Sequence, residues 1–189
     1  MNKLAAVAFG LFFSTVCLAV DMNLQVNNSL LSFVSTKQDS IAEIHQIKNL
    51  SGSIQDDIAQ VIMDLTSVDS KIEIRDQRMR DHLFETSQFA QATYTAKIDS
   101  KRLAKLAEGE QVAESITGEL SLHGNTLPVA ANVNITRLKD GGVRVTTLEP
   151  MIINASDFDM VNGVNKLRTL AGLKSISYAV PVTFSVEFK

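Results

Sequence analysis

Apolar and polar positions alternate with a period of two through most of this chain. The apolar members are Ala59, Val61, Met63 and Leu65; Ala92, Tyr94, Ala96 and Ile98; Leu127, Val129, Ala131, Val133 and Ile135; and Val180, Val182, Phe184, Val186 and Phe188. Such a period turns one face of a strand to a core and the other to water. Thr183, Ser185 and Glu187 interleave the last set, which fits that division. Further strands are predicted over Met22 to Val26, Leu30 to Val34, Ile44 to Ile54, Val112 to Ile116 running into Gly118 to Leu122, and Val143 to Thr147.

Turn chemistry supports antiparallel pairing. Gly124-Asn125 stands between LSLH and TLPV, and Asp140-Gly141-Gly142 between NITRLK and VRVTT, both read as hairpins. About eight strands in one domain favour an all-β barrel or sandwich.

Two segments depart from the period. From Met160 to Ala171, the residues Val161, Val164, Leu167, Leu170 and Ala171 recur at helical spacing, with Gly172 as a stop and Ser156 or Asp157 as a cap. In the stretch RDQRMRDHLF (Arg75 to Phe84), Met79, Leu83 and Ile74 share one side of a short helix. The segment around Leu103 to Leu106 reads as a long loop.

The first nineteen residues change the picture of what folds. Lys3 precedes the apolar run Leu4 to Val16, and Ala19 ends it with a small residue. A run of about 13 is too short for a membrane span and reads as a secretory signal peptide, residues 1–19, cleaved to begin the mature chain at Val20. Bulky Val16 before Cys17 argues against lipoprotein processing. Removing nineteen of 189 residues leaves 170, a single domain over residues 20–189. It holds no cysteine, since Cys17 is the only one, so disulfides and thiol catalysis are excluded. Losing Lys3 takes the formal charge from −3 to −4, and no basic stripe points to nucleic acid.

Candidate chemistry is thin. Asp81-His82 could be a general-base pair, but no G-x-S-x-G elbow supplies a nucleophile, and neighbouring side chains diverge. His45, His82 and His123 have no metal-ligand spacing, and His123 falls on the polar face with Glu119 and Ser121. Arg75, Arg78 and Arg80 could clamp a phosphate, yet Asp76 and Asp81 are placed to neutralise them. Small inward residues, Ala59, Ala92, Ala96 and Ala131, lean toward a cavity, because an eight-stranded barrel can either fill with side chains or hold one ligand.

Four stretches in order, MRDHLFETSQF (Met79 to Phe89), GELSLHGNTLPV (Gly118 to Val129), INASDF (Ile153 to Phe158) and KLRTLAGLKSISYAVPVTFSVEF (Lys166 to Phe188), resemble the YceI family of secreted lipocalin-like proteins. The resemblance runs from about Val26 to the C-terminus. It implies a single lipocalin-like eight-stranded antiparallel β-barrel, with a helix in its C-terminal half and a short helical lid. It also implies a periplasmic, non-enzymatic protein that binds and carries an isoprenoid or other long-chain lipid. The implied cofactor is none beyond a bound isoprenoid lipid or quinone; a homodimer is left open, and a stable membrane span is not expected. The N-terminal third departs from the commoner family pattern by being less aromatic around His45 and Gly52.

The expected tunnel follows from the inward alternation: Phe33; Val61, Met63 and Leu65; Tyr94 and Ile98; Leu120 and Leu122; Val129 and Val133; and Val182, Phe184 and Val186. The resemblance assigns the lid to Arg80, Asp81, His82, Leu83, Phe84 and Phe89. The competing readings are a solidly packed structural or interaction protein, and a hydrolase using Asp81-His82.

Overall fold

In a computed structural model, residues 21–189 are described; the expected signal peptide and the residues before its cleavage point lie outside them. One antiparallel sheet carries nearly everything. Its strands are β1 (Met22–Asn23), β2 (Leu30–Lys37), β3 (Ile41–Ile47), β4 (Leu50–Gln55), β5 (Ile58–Asp64), β6 (Val68–Asp69), β7 (Gln91–Lys97), β8 (Gln111–Leu122), β9 (Asn125–Arg137), β10 (Val143–Thr147), β11 (Met151–Asn154) and β12 (Ala179–Phe188). The order is β1-β4-β5-β7-β8-β9-β10-β12-β2-β3-β6, with β11 on the edge of β12. The chain therefore has a lipocalin-like all-β fold.

Twelve strands replace the expected eight for a simple reason. The span expected as one strand, Ile44 to Ile54, is two. β3 pairs with β2, and after Lys48 and Asn49 the chain turns as β4 to pair with β5. The Asn49 side chain donates to Asp64 (3.2 Å), its N–H donates to the Ser67 hydroxyl (2.9 Å), and the Lys48 N–H donates to the Ser67 carbonyl (3.2 Å). One bent strand thus joins both edges of the sheet and curls it into a barrel. With β3 and β4 counted together, and the two-residue β1 and β6 and the short β11 set aside, the long strands are the expected eight.

The strand expected from Met22 to Val26 shrinks to Met22–Asn23 before a 3-10 turn. It acts as a clasp. Asn23 and Lys189 exchange backbone hydrogen bonds at 2.7 and 2.9 Å, and the Leu24 N–H donates to the Gly52 carbonyl at 2.9 Å. The chain's two described ends thereby cover the seam between β4 and β12.

Both expected helices form. The first, α1 (Glu73–Arg78), runs straight into a π-helical turn at Met79–Leu83. The C-terminal one, which we call α3, spans Val161–Leu170 and ends before Gly172, whose φ of +64° suits a residue without a Cβ. Its start differs from expectation. Ser156 and Asp157 lie in a 3-10 turn, Ala155–Phe158, and the cap position is Met160, with no side-chain bond. The expected loop near Leu103 is instead α2 (Ser100–Lys105), capped by Asp99, which accepts from the Arg102 N–H at 2.9 Å. Buried Leu103 plugs the barrel end there, beside Asp57 in the β4–β5 turn, which accepts from Ser100. No described helix is long and apolar enough to cross a membrane.

Candidate functional site

The interior divides into a packed end and a hollow end. At the packed end, Ile54, Val133, Ile135, Val143, Val186 and Phe188 are each at most 3% exposed. At the other lies a cavity of about 420 Å³, inside the roughly 300–1,000 Å³ range of small-molecule sites.

The β-wall of the cavity comes from alternate residues, as a period of two requires. Phe33, Val61, Met63, Leu65, Tyr94, Leu120, Leu122, Val129, Val182 and Phe184 all line it. Three expected tunnel residues do not. Val133 and Val186 point inward but sit in the packed end, opposite Glu114 and Val145 in the register. Ile98 lies past the end of β7, its N–H held by the Asp57 carbonyl at 2.9 Å. Alternation told inside from outside, not how far along the barrel the hollow extends. Ala92 lines the cavity, whereas Ala59, Ala96 and Ala131 belong to the packed part.

The helical lid splits in the same way. Leu83 and Phe84 line the cavity, joined by Met79, and Phe84 meets Phe33 edge-on with centroids 6.3 Å apart. Phe89 does not line the cavity and packs tilted against His123, with centroids 4.5 Å apart and the rings inclined at 49°. His123 is not a solvent-facing residue of the polar face. It bonds Glu85 at 2.8 Å with its side chain only 11% exposed, because Phe89 covers it. Arg80 pairs with Glu73 at 2.9 Å, and Asp81 is exposed. Among the described residues no hydrogen bond joins Asp81 to His82, and the His82 carbonyl packs on Gly163 of α3. Among the described residues no group of three His, Cys, Asp or Glu side chains is placed to hold a metal.

Several wall residues were not anticipated. Met160 at the cap of α3, Val164 and Leu167 within it, and Met151 and Ile153 from β11 complete the lining. The helical spacing of α3 was legible, but nothing in it said which surface that face covers.

The opening is marked by half-exposed lining residues, Ile72 (47%) and Ile74 (55%). Among the described residues, the charged ones that line the cavity are Lys37, Glu43, Arg75 and Arg78. Glu43 accepts from Lys37 at 2.7 Å and from Arg75 at 2.9 Å. The bond from Lys37, reinforced by Arg75, holds its carboxyl below the usual range. Arg75 is further fixed by Ser70, through its hydroxyl at 2.7 Å and its carbonyl at 2.5 Å. The expected neutraliser Asp76 is buried and accepts from the Ser70 N–H at 2.8 Å. Arg75 and Arg80 are therefore paired through Glu43 and Glu73, not through Asp76 and Asp81, while Arg78 reaches only the Leu170 carbonyl at 3.4 Å.

Behind this rim His45 is fully buried, its Nε2 2.7 Å from the Ser35 hydroxyl and its ring 5.1 Å from that of Phe33. Its Nδ1 has no partner. A neutral ring leaves one acceptor unused, but an imidazolium would bury an unpaired N–H. Burial accordingly pushes its pKa down to about 4.

A curled barrel of this order, hollow at the helix-covered end, coincides with a family match over nearly all the described chain: the YceI-like domain, residues 22–188. The chain belongs to the YceI-like family. Among solved structures it is similar to a polyisoprenoid-binding domain from Saccharophagus degradans implicated in plant cell wall breakdown. The identity is 37%, the TM-score 0.87, and the match covers 89% of this chain and 97% of that one. It also shares its fold with Burkholderia cenocepacia BcnA, at 18% identity and a TM-score of 0.62, over 87% of this chain and 98% of that one. No curated protein matches it.

Proposed function

We propose that this chain is a binding protein, not an enzyme, that holds and carries an isoprenoid or other long-chain lipid in the periplasm. Residues 1–19 would direct export and residues 20–189 form the lipid-binding barrel. The observation that carries this reading is the apolar cavity of about 420 Å³, closed at the α2 end of the barrel and open at the Ile72–Ile74 rim.

Apolar lining is suited to a hydrocarbon chain. Each CH₂ group taken from water contributes about 0.8 kcal/mol, so several isoprene units bind tightly with few polar contacts. The polyisoprenoid-binding domain from Saccharophagus degradans, which this chain matches over almost that domain's full length, supports the same ligand class. The cavity argues against a solidly packed barrel, and the lack of a hydrogen bond between Asp81 and His82 among the described residues argues against a hydrolase built on that pair.

The test is organic-solvent extraction of natively purified protein followed by mass spectrometry. A stoichiometric prenyl-chain lipid is expected; protein free of lipid that also fails to take up added prenyl lipid would overturn the reading. Intact-mass measurement of exported protein should place the mature N-terminus at Val20.

A further inference from the structure

The barrel wall has a slit between β9 and β11. The β9–β10 ladder ends at the pair Val133 and Thr147, with one further bond from the Leu148 N–H to the Asn132 carbonyl at 2.8 Å. The chain bends at Leu148 and Glu149, and β11 then pairs with β12 alone. At least half of β11 stands more than 8 Å from β9, Cα to Cα, where ladder partners stand about 4.5–5.5 Å apart.

The backbone groups along the slit face an unpaired edge. The Asn132 carbonyl points toward β10, so the backbone groups of Ala130 and Pro128, two and four residues back, point to the same edge. The Ala155 N–H donates to the Tyr178 carbonyl at 2.9 Å, so Asn154 and Ile152 turn theirs the other way, toward β9. Among the described residues no ladder bond joins these two edges, and Pro128 has no N–H to leave unpaired.

The slit holds a cavity of about 230 Å³, reaching from Leu127–Ala130 to Met151–Asn154 and closed off by Asp157 and Phe158. Val129, Met151 and Ile153 line both this cavity and the main one. Three apolar side chains therefore stand between the tunnel and the outside. The place along the barrel is telling. The Val129 carbonyl accepts from the Tyr94 hydroxyl at 2.9 Å, and no residue of β7 beyond Tyr94 lines the main cavity. A chain entering at the Ile72–Ile74 mouth thus meets Tyr94 as an end wall, with the slit beside it.

Opening a paired wall breaks ladder hydrogen bonds. Here there are none to break, and water reaches the free backbone groups. Val129 and Ile153 are β-branched and stiff, but Met151 is unbranched with three rotatable bonds, so a change of its rotamer widens the passage.

We propose that the slit between β9 and β11 is a side portal of the tunnel, gated by Met151, through which the far end of a hydrocarbon chain longer than the main cavity leaves the barrel. The inference rests on the lipid-binding reading above. It makes the tunnel open at both ends, so that ligand length is not limited by the wall at Tyr94.

The experiment uses full-length mature protein stripped of co-purified lipid and two photoreactive probes, farnesol and the much longer solanesol, each carrying a diazirine at both ends. Labelled residues are mapped by peptide mass spectrometry. The short probe is expected to label residues of the main cavity only. The long probe should label Ala130 and Ile152 as well, which line the slit but not the main cavity. In the double variant Ala130→Trp, Ile152→Trp, two exposed positions, the long probe should bind severalfold more weakly and the short one as in the wild type. Met151→Ile should slow uptake of the long probe more than of the short one; uptake of both at wild-type rates removes Met151 as the gate. Should the double variant not fold by circular dichroism, labelling of the wild type decides alone. Long-probe labels that never include Ala130 or Ile152, or equal weakening of both probes in the folded double variant, overturn the side portal and leave the lipid-binding reading intact; no labelling by either probe overturns both.

Discussion

The ring of Tyr94 lies over Gly118, so closely that a Cβ at 118 would stand 2.5 Å from Tyr94 Cζ and 2.7 Å from the Thr95 carbonyl oxygen. The tyrosine hydroxyl donates to the Val129 carbonyl at 2.9 Å, with the Ile116 carbonyl at 3.3 Å. Burial raises its pKa, which keeps it a donor. No residue of β7 beyond Tyr94, nor of β9 beyond Val129, lines the cavity. Tyr94 therefore stands at the cavity's inner limit. Gly118→Ala is expected to cost about 1–3 kcal/mol by overpacking, measured by urea denaturation. In a Tyr94→Ala background the added penalty should fall, since only the Thr95 carbonyl remains in the way; an unchanged penalty would show that the ring is not the obstacle.

Filling the hollow and overfilling the packed end should give opposite results. Ala92 lines the cavity, whereas Ala131, 1% exposed, lies in the packed part. In Ala92→Phe the new ring occupies ligand space, so bound lipid falls while the melting temperature changes little. In Ala131→Phe there is no space, and stability should drop by about 1–3 kcal/mol. Lipid content and melting temperature measured on both variants decide it. Equal destabilisation of the two would mean that the cavity is not there in solution.

The sequence showed which side of each strand is dry, because a register slip of one residue would move every apolar side chain of a strand to the wrong face. It could not show where along the barrel the side chains stop meeting. That depends on how strands stagger across the sheet, and so Val133 and Val186 looked no different from Val129 and Val182. The bend at Lys48 and Asn49 also escaped, since its supports, Asp64 and Ser67, lie 15 and 18 residues from Asn49. The face of α3 was visible as spacing, but its place on the cavity depends on Gly163, whose significance appears only against His82. The arginines of α1 and its π-helical turn were expected to be neutralised by Asp76 and Asp81; Arg80 pairs instead with Glu73 of α1, and Arg75 with a residue outside the helix. Glu43 in β3, with three strands between it and α1, supplies the partner of Arg75.

Gly163 is where the two helices of the lid touch. A Cβ there would collide with the His82 carbonyl oxygen and lie 2.9 Å from Leu83 Cα, both backbone atoms that cannot swing aside. Gly163→Ala is expected to push α3 off the π-helical turn and open the cavity cover. Hydrogen exchange over residues 79–89 should accelerate and retained lipid should fall, with the barrel strands still protected. Protection of 79–89 equal to wild type would show that the lid absorbs the methyl group.

His45 should make stability depend on pH in a window set by its own titration. Its pKa is about 4 in the folded chain against an ordinary 6.5, so between those values the unfolded state binds more protons and stability rises with pH. The contribution is complete above about pH 6.5 and is lost as the pH falls toward 4. Its full size is on the order of 3 kcal/mol, from about 1.4 kcal/mol per pKa unit. The charges around it pull both ways: Arg75 and Lys37 oppose protonation, Glu43 and Asp76 favour it, and burial outweighs all four. Glu43, whose pKa is lowered from 4.5, acts in a lower window, losing its contribution as the pH falls below that value, so the two are separable. Urea denaturation of wild type and His45→Gln at half-unit steps from pH 7.5 to 4 provides the measurement. The wild-type curve should fall across that interval and the variant's should be flatter. Parallel curves would place the pH dependence elsewhere and remove His45 as its source.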